Sequence, residues 1–344
     1  MKAIIMAGGE GRRLKPVTGD MPKPLVPLCG RPVMEHIILL LKKHGITDIC
    51  CALKYRPEDI KGYFGDGARL GVKIEYRVEE TALGTAGGVK NCADFYGEED
   101  FLVISGDAAC DIDLSKLIAE HRKRRPAVTI ALCPESEPLR YGLALCDRAG
   151  YIRSFIEKPD WHRVVTNLVN TGIYIVSARA MRLVPEGREF DFAKELFPTL
   201  LERGEKLLGV PCDGYWCDIG TPKSYYECCA DALSGKLKIE PANGFEIDTA
   251  PECGDPDRPD ECCADCDCAD RARLMDSVST AFMELGADYA DGFRLSGADY
   301  ELCIAPLPTR KAVRISANAA DTETARELTE AAAALISELE KRLD

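Results

Sequence analysis

The residues best suited to chemistry stand at the amino terminus. A strand-like apolar run, Lys2-Ala3-Ile4-Ile5-Met6, leads into Ala7-Gly8-Gly9-Glu10-Gly11-Arg12-Arg13-Leu14-Lys15-Pro16-Val17-Thr18, and Met21-Pro22-Lys23-Pro24-Leu25 follows. At Ala7, Gly8, Gly9 and Gly11 small or absent side chains let the backbone approach a nucleotide, and successive N–H groups can cradle its phosphates. Arg13 and Lys23 put two cations into one short loop, enough to offset charge building on a departing pyrophosphate. A glycine turn with solvated charges is the plain alternative. The full string, Gly-Gly-x-Gly-x-Arg-Leu-x-Pro-x-Thr followed by Pro-Lys-Pro, argues against it.

Further motifs follow in order: Leu83-Gly84-Thr85-Ala86-Gly87-Gly88, Ser105-Gly106-Asp107, Tyr141-Gly142, Glu157-Lys158-Pro159, Asn170-Thr171-Gly172 and Asp218-Ile219-Gly220-Thr221-Pro222. With the first string they resemble the sugar-phosphate nucleotidylyltransferase family over residues 1 to about 235. The resemblance implies that Gly84 and Thr85 belong to a second nucleotide-binding segment. It implies that Gly142, Glu157 and Asn170 contact the sugar, and that Asp107 and Asp218 ligate a metal ion. The chemistry it implies suits these residue types. The nucleophile is a phosphate oxygen of a sugar 1-phosphate, already anionic near neutral pH because its second pKa is about 6, so no general base is needed. What remains is to bring two anions together and stabilise the α-phosphate during in-line displacement. Asp107 and Asp218 offer hard oxygen ligands for Mg²⁺, Lys158 would hold the incoming phosphate, and Arg13 with Lys23 the outgoing pyrophosphate.

The base is addressed by Val78-Glu79-Glu80-Thr81-Ala82-Leu83. This Glu-x-x-Leu-Gly-Thr-Ala-Gly form resembles relatives that use GTP to activate mannose 1-phosphate. Guanine offers adjacent N1–H and N2–H donors, and a carboxylate is an acceptor-only group suited to both. Uracil has one donor flanked by two acceptors, which an amide matches better. Glu80, or failing it Glu79, is therefore the expected reader of guanine, with GTP and mannose 1-phosphate as the expected substrates. Two alternatives are a glucose-1-phosphate uridylyl- or thymidylyltransferase and a non-catalytic nucleotide-sugar-binding subunit. Both glutamates could also be a solvated charge pair.

These groups need a scaffold, and the chain supplies one. Residues 1–240 alternate apolar strand-like runs with amphipathic ones, the pattern of an α/β, Rossmann-like nucleotide-binding domain with a mixed, mostly parallel sheet. Expected strands are 2–6, 48–53, 72–78, 101–105, 128–133, 152–157, 172–176 and 207–211; expected helices are 32–44, 57–64, 84–91, 114–124, 192–203 and 222–233. In such sheets ligands gather at the carboxyl ends of strands. Residues 241–270 read as an acidic, Cys-rich linker: within 246–270 there are ten acidic residues, five cysteines and three prolines, with no apolar period. One Cys-x-x-Cys pair, Cys263 to Cys266, falls short of the two separated pairs of a structural zinc site. Residues 271–344 read as a small α+β domain, a helix at 271–285, strands at 292–295, 300–305 and 312–317, and a helix at 321–343. Asp291-Gly292-Phe293-Arg294 and the stretch Ala305 to Ile315 resemble the last domain of phosphohexomutases. Leu307, Pro308 and Arg310 replace the Ser, Gly and Glu of that family's phosphate loop, which implies a remnant used for packing or assembly.

A net charge of −13 over 344 residues argues against a nucleic-acid partner. No run of about 18 apolar residues suggests a membrane span, and the first strand is too short for a signal-peptide core. A cytoplasmic enzyme with small-molecule substrates is expected, its 17 cysteines reduced. Self-association into a homo-oligomer is left open by the sequence.

Overall fold

A computed structural model describes residues 1–135, 138–157, 166–242, 261–267, 288–289, 293–296, 300–306, 312–319 and 322–341. The chain divides into two compact units, one of residues 1–11, 22–27 and 31–218, the other of residues 12–21, 28–30 and 219–344.

The first unit is built on one mixed sheet of nine strands. Its parallel core comprises β1 (Ala3–Ala7), β2 (Asp48–Leu53), β3 (Lys73–Val78) and β4 (Phe101–Ser105), with β1 between β2 and β4 and β3 outside β2. Burial on both faces explains their composition: Ile4, Ile5, Cys50, Cys51, Leu102 and Val103 have no exposed surface. Cys50 and Cys51 are free thiols and serve as small hydrophobes. A short strand β5 (Ala108–Cys110) follows β4, and β6 (Val128–Pro134), β7 (Gly142–Cys146), β8 (Ile152–Glu157), β9 (Leu168–Val176) and β10 (Leu207–Pro211) extend the main sheet. The path runs β8-β7-β9-β4-β1-β2-β3; β6 pairs with β9 and with β10. β9 is antiparallel to β4, β6 and β7, so it turns the parallel core into a mixed sheet. β11 (Trp216–Asp218) stands apart, antiparallel to β5.

Expected and observed elements agree within a residue or two for most of this unit. The expected helix 192–203 starts instead as a π-helical turn, Phe192–Leu196, before the α-helix Phe197–Glu202. Pro198 has no N–H to close an α-helical ring onto Lys194, and the turn widens. Strands β5, β7 and β11 were not expected. β5 and β11 have only three residues each, too few to show a period.

The helix Leu114–Arg124 is capped by Asp113, whose carboxylate accepts the Ser115 N–H at 2.9 Å. It buries His121 to 1 % exposure, with Nδ1 2.8 Å from Thr129 Oγ1 and Nε2 3.2 Å from Asp100 Oδ2. Burial lowers the His121 pKa despite the Asp100 charge, and burial lowers that of His44 as well. Folded histidines that resist a proton make the unfolded chain the stronger binder. Their stabilisation is full above the unfolded pKa of about 6.5 and is lost as pH falls below it. The urea midpoint should therefore drop between pH 7.5 and 5.5, and His121→Gln should lessen that drop. A midpoint independent of pH over this window would contradict the assignment.

In the second unit the helix Pro222–Leu233 opens with a capping box, Thr221 Oγ1 accepting the Ser224 N–H at 3.2 Å and Ser224 Oγ accepting the Thr221 N–H at 3.0 Å. Five antiparallel strands follow: β12 (Glu261–Asp267), β13 (Asp288–Tyr289), β14 (Phe293–Ser296), β15 (Tyr300–Pro306) and β16 (Ala312–Ala319), in the order β12-β16-β15-β14-β13. The helix Thr322–Lys341 lies on β12 and β16, burying Ala325, Thr329, Ala332 and Ile336 at helical spacing. β12 corrects the expected linker. Residues 261–267 form an edge strand, with Cys262, Ala264 and Cys266 opposite Ala317, Ile315 and Val313. Cys, Ala and Cys at alternate positions are a faint period-two signal among acids. The expected helix 271–285 and the loop 307–311 lie outside the described residues. Among the described residues no helix is long and apolar enough to cross a membrane.

Candidate active site

The first unit brings the two expected metal ligands together by means of two three-residue strands. Asp218 closes β11 opposite Ala108, the residue after Asp107, so one antiparallel pair sets the two carboxylates side by side. That ladder is pinned at its other end: Tyr215 N–H donates to Asp111 Oδ1 at 2.6 Å, and Trp216 Nε1–H to the Thr171 carbonyl at 2.9 Å. Thr171 lies in the Asn170-Thr171-Gly172 bulge of β9, where the register against β6 shifts between Asn170 and Tyr174. The bulge leaves a carbonyl for the indole to take. Trp216 is thus a positioning residue that motif reading did not single out; an aromatic two residues before Asp218 was the available signal.

Lys23 fills the gap between the aspartates. Its Nζ donates to Asp107 Oδ2 at 2.7 Å and to Asp218 Oδ1 at 3.1 Å. The lysine side chain is only 9 % exposed, against 35 % for Asp107 and 32 % for Asp218. Burial pulls the ammonium pKa down, but the charges of Asp107 and Asp218 outweigh it and leave it above that of an ordinary lysine. Gly11, at φ +66°, stands against the lysine stem: a Cβ there would lie 3.2 Å from Lys23 Cβ. Ala7 ends β1 in the core, and Gly9 has open space where a side chain would stand. Arg13 is exposed on the single turn Arg12–Leu14, within the second unit.

The second glycine motif packs closely on the segment around Phe190. Gly84 has φ +69°, and a Cβ there would come 2.7 Å from the Phe190 carbonyl oxygen. That oxygen accepts the N–H groups of Ala86 and Gly87 at 2.9 and 3.0 Å. Thr85 Oγ1 donates to Asp191 Oδ2 at 2.8 Å and accepts the Phe192 N–H at 3.0 Å. Gly84 and Thr85 therefore help dock the segment before the π-turn, which engages the N–H groups of Ala86 and Gly87. Of the two glutamates, Glu80 is exposed, whereas Glu79 is partly buried and turned toward the amino-terminal loop. Its Oε2 accepts the Leu83 N–H at 3.2 Å, and a Cβ on Gly88 would collide with its Oε1. A Cβ on Gly8 would stand 3.7 Å from the same oxygen. Burial raises the Glu79 pKa, opposed by the Leu83 amide and the Lys54 charge. Of the adjacent pair, Glu79 is the carboxylate held by the loop, and Glu80 is the solvent-facing one.

The expected sugar contacts cluster at the ends of β7, β8 and β9. Gly142 pairs directly with Glu157. Asn170 donates from Nδ2 to the Tyr174 hydroxyl at 2.9 Å and accepts the Gly172 N–H at 3.1 Å. Tyr174 packs against Phe192 and Phe197, with ring centroids 5.1 and 5.2 Å apart, so the core holds the amide in place. Tyr141 meets Trp216 edge to face at 5.2 Å. Lys158 lies outside the described residues.

Two hard carboxylate oxygens reaching one point fit the protein share expected of a Mg²⁺ site, which takes one or two carboxylates and completes its shell with phosphates and water. Among the described residues no cluster of three or more His, Cys, Asp or Glu could enclose a metal unaided. The donor set fits a cation shared with a phosphorylated ligand.

A glycine loop after β1, a buried lysine and paired aspartates at strand ends define a nucleotide-dependent transferase on an α/β sheet. The sequence profile of the nucleotidyl transferase family matches residues 2–235. Over 260 residues the chain is 35% identical to the UTP–glucose-1-phosphate uridylyltransferase of Synechocystis sp., covering 72% of this chain and 67% of that protein. It is 34% identical over 234 residues to the mannose-1-phosphate guanylyltransferase of Mycobacterium tuberculosis, covering 68% and 65%. The solved structure of HddC from Yersinia pseudotuberculosis complexed with GMP-PN superposes with a TM-score of 0.59 at 29% identity, covering 67% of this chain and 99% of that one. The chain belongs to the nucleotidyl transferase family, as a sugar-1-phosphate nucleotidylyltransferase, and spans about two thirds of the length of these curated relatives.

Proposed function

We propose that the protein transfers a guanylyl group from GTP to mannose 1-phosphate, giving the nucleotide sugar and pyrophosphate. One observation carries the choice of base: the half-buried Glu79 carboxylate, fixed by the Leu83 N–H and facing the Gly8 loop. An acceptor-only group beside a base favours the paired N1–H and N2–H donors of guanine over the uracil edge. The guanylyltransferase relative and the GMP-PN complex of HddC support the same base. The 35% identity to a uridylyltransferase favours the second reading, UTP with glucose 1-phosphate.

The mechanism needs no proton abstraction, because the attacking phosphate oxygen is already ionised. Backbone at Gly8, Gly9 and Gly11 receives the nucleotide phosphates, and Glu79 orients the base. Glu157 accepts from sugar hydroxyls, with Gly142 admitting the ring close to the strand and Asn170 offering its amide. Asp107 and Asp218 would hold Mg²⁺, which when bound neutralises phosphate charge as a Lewis acid. Lys23 supplies a further positive charge to the pyrophosphate as it departs, and Lys158 is assigned to the incoming phosphate. Pyrophosphate release over a panel of nucleoside triphosphates and sugar 1-phosphates tests the reading. GTP with mannose 1-phosphate should give the highest kcat/KM. Preference for UTP or dTTP with glucose 1-phosphate would overturn the substrate choice and leave the family intact.

A further inference from the structure

We infer that Lys23 is the resident counter-cation of the Asp107–Asp218 pair, and that it must leave the pair before both carboxylates can ligate one divalent cation. Metal entry and release of the lysine ammonium to substrate phosphate are then one event. The inference rests on the reading that these two aspartates take the metal.

The geometry allows little else. Nζ sits within hydrogen-bond distance of one oxygen from each carboxylate, the point at which the pair converges. A Mg²⁺ ion ligated by both side chains needs their oxygens at about 2.0–2.1 Å. An ammonium cannot share that point, because a dication and a lysine in direct contact in a partly buried site would repel. With the ammonium in place the three side chains carry a net −1; without it the carboxylates present −2 to an incoming cation.

The backbone around Lys23 is built to stay while the side chain moves. The turn Lys23–Leu25 is closed by Leu25 N–H to the Pro22 carbonyl at 2.8 Å and Val26 N–H to the Lys23 carbonyl at 3.2 Å. Pro22 and Pro24 flank the lysine and restrict φ on both sides. The stem rests against Gly11, so an ammonium leaving the carboxylates remains beside the loop assigned to the nucleotide phosphates. Lys23 thus exchanges one set of anionic oxygens for another. In the metal-free protein it also keeps two neighbouring carboxylates from repelling each other apart.

A lysine that merely braces the aspartates would behave differently: removing it would splay the carboxylates and weaken metal binding. Mn²⁺ binding, followed by the loss of the free-ion electron paramagnetic resonance signal without nucleotide, separates the cases. Lys23→Gln and Lys23→Met should each bind Mn²⁺ on the order of tenfold tighter than wild type, because the competing cation is gone. Asp107→Asn and Asp218→Asn should bind on the order of tenfold more weakly, since each deletes a charged ligand. A second readout covers loss of stability in the lysine variants: added Mn²⁺ should raise their unfolding temperature more than it raises that of wild type. Unchanged or weaker Mn²⁺ binding by both lysine variants, with the expected losses in the asparagine variants, overturns the inference alone. Equal binding by wild type and both asparagine variants removes the metal assignment, and the inference with it.

Discussion

Asp107→Asn and Asp218→Asn are each expected to lower kcat/KM by on the order of 10²–10³-fold, the scale seen when one electrostatic stabiliser is deleted from a reacting centre. Asparagine keeps the shape and one oxygen acceptor for the Lys23 ammonium, so the change isolates charge from packing. The fold should tolerate it. Each aspartate side chain is about a third exposed, at 35 % and 32 %, and each variant leaves Lys23 one ionised partner. Strand β11 is held by Trp216 and Tyr215 rather than by the Asp218 side chain. Pyrophosphate release and thermal unfolding, measured on the same preparations, check the two halves of the expectation. Turnover within a few-fold of wild type in either variant would remove that carboxylate from the mechanism.

The sequence was most legible where period and punctuation coincide. Strands 48–53, 101–105, 152–157 and 207–211 and helices 57–64, 114–124 and 222–233 fall where apolar runs end at Gly, Pro or Asp, and the structure keeps those bounds. Asp107 and Asp218 could be named from their motifs. Their meeting could not, because it depends on two three-residue strands and on one indole bonded to one bulge carbonyl. The second glycine motif shows the opposite limit. Glycines at 84 and 87 signal a close backbone approach, but the sequence does not say by what, and here the approaching backbone is the segment around Phe190. The sequence offered Lys23 as a cation for phosphate. That its resting partners are the two aspartates is a fact of tertiary structure, since residues 23, 107 and 218 share no local pattern.

Choosing between adjacent glutamates was beyond the sequence for the same reason, and it sets up the sharpest test of specificity. Glu79 is tied to Leu83 and faces Gly8 and Gly88, while Glu80 is exposed. Glu79→Gln should keep the bond to the Leu83 N–H through its amide oxygen, so the loop should hold its shape. It loses the second acceptor, and its NH₂ group would then confront the guanine donors. The cost should match that of one good bidentate base contact, about 1–3 kcal/mol, or roughly 5- to 150-fold in kcat/KM for GTP. UTP, whose edge carries acceptors on either side of its single donor, should lose little or gain. Glu80→Gln should change both nucleotides by no more than about twofold, as expected for an exposed side chain without a structural role. The selectivity ratio GTP/UTP, taken from competing substrates in one reaction, cancels differences in active fraction between preparations. If Glu80→Gln moves that ratio and Glu79→Gln leaves it unchanged, the base is read from the exposed side of the loop, and the placement of guanine against the half-buried carboxylate is wrong.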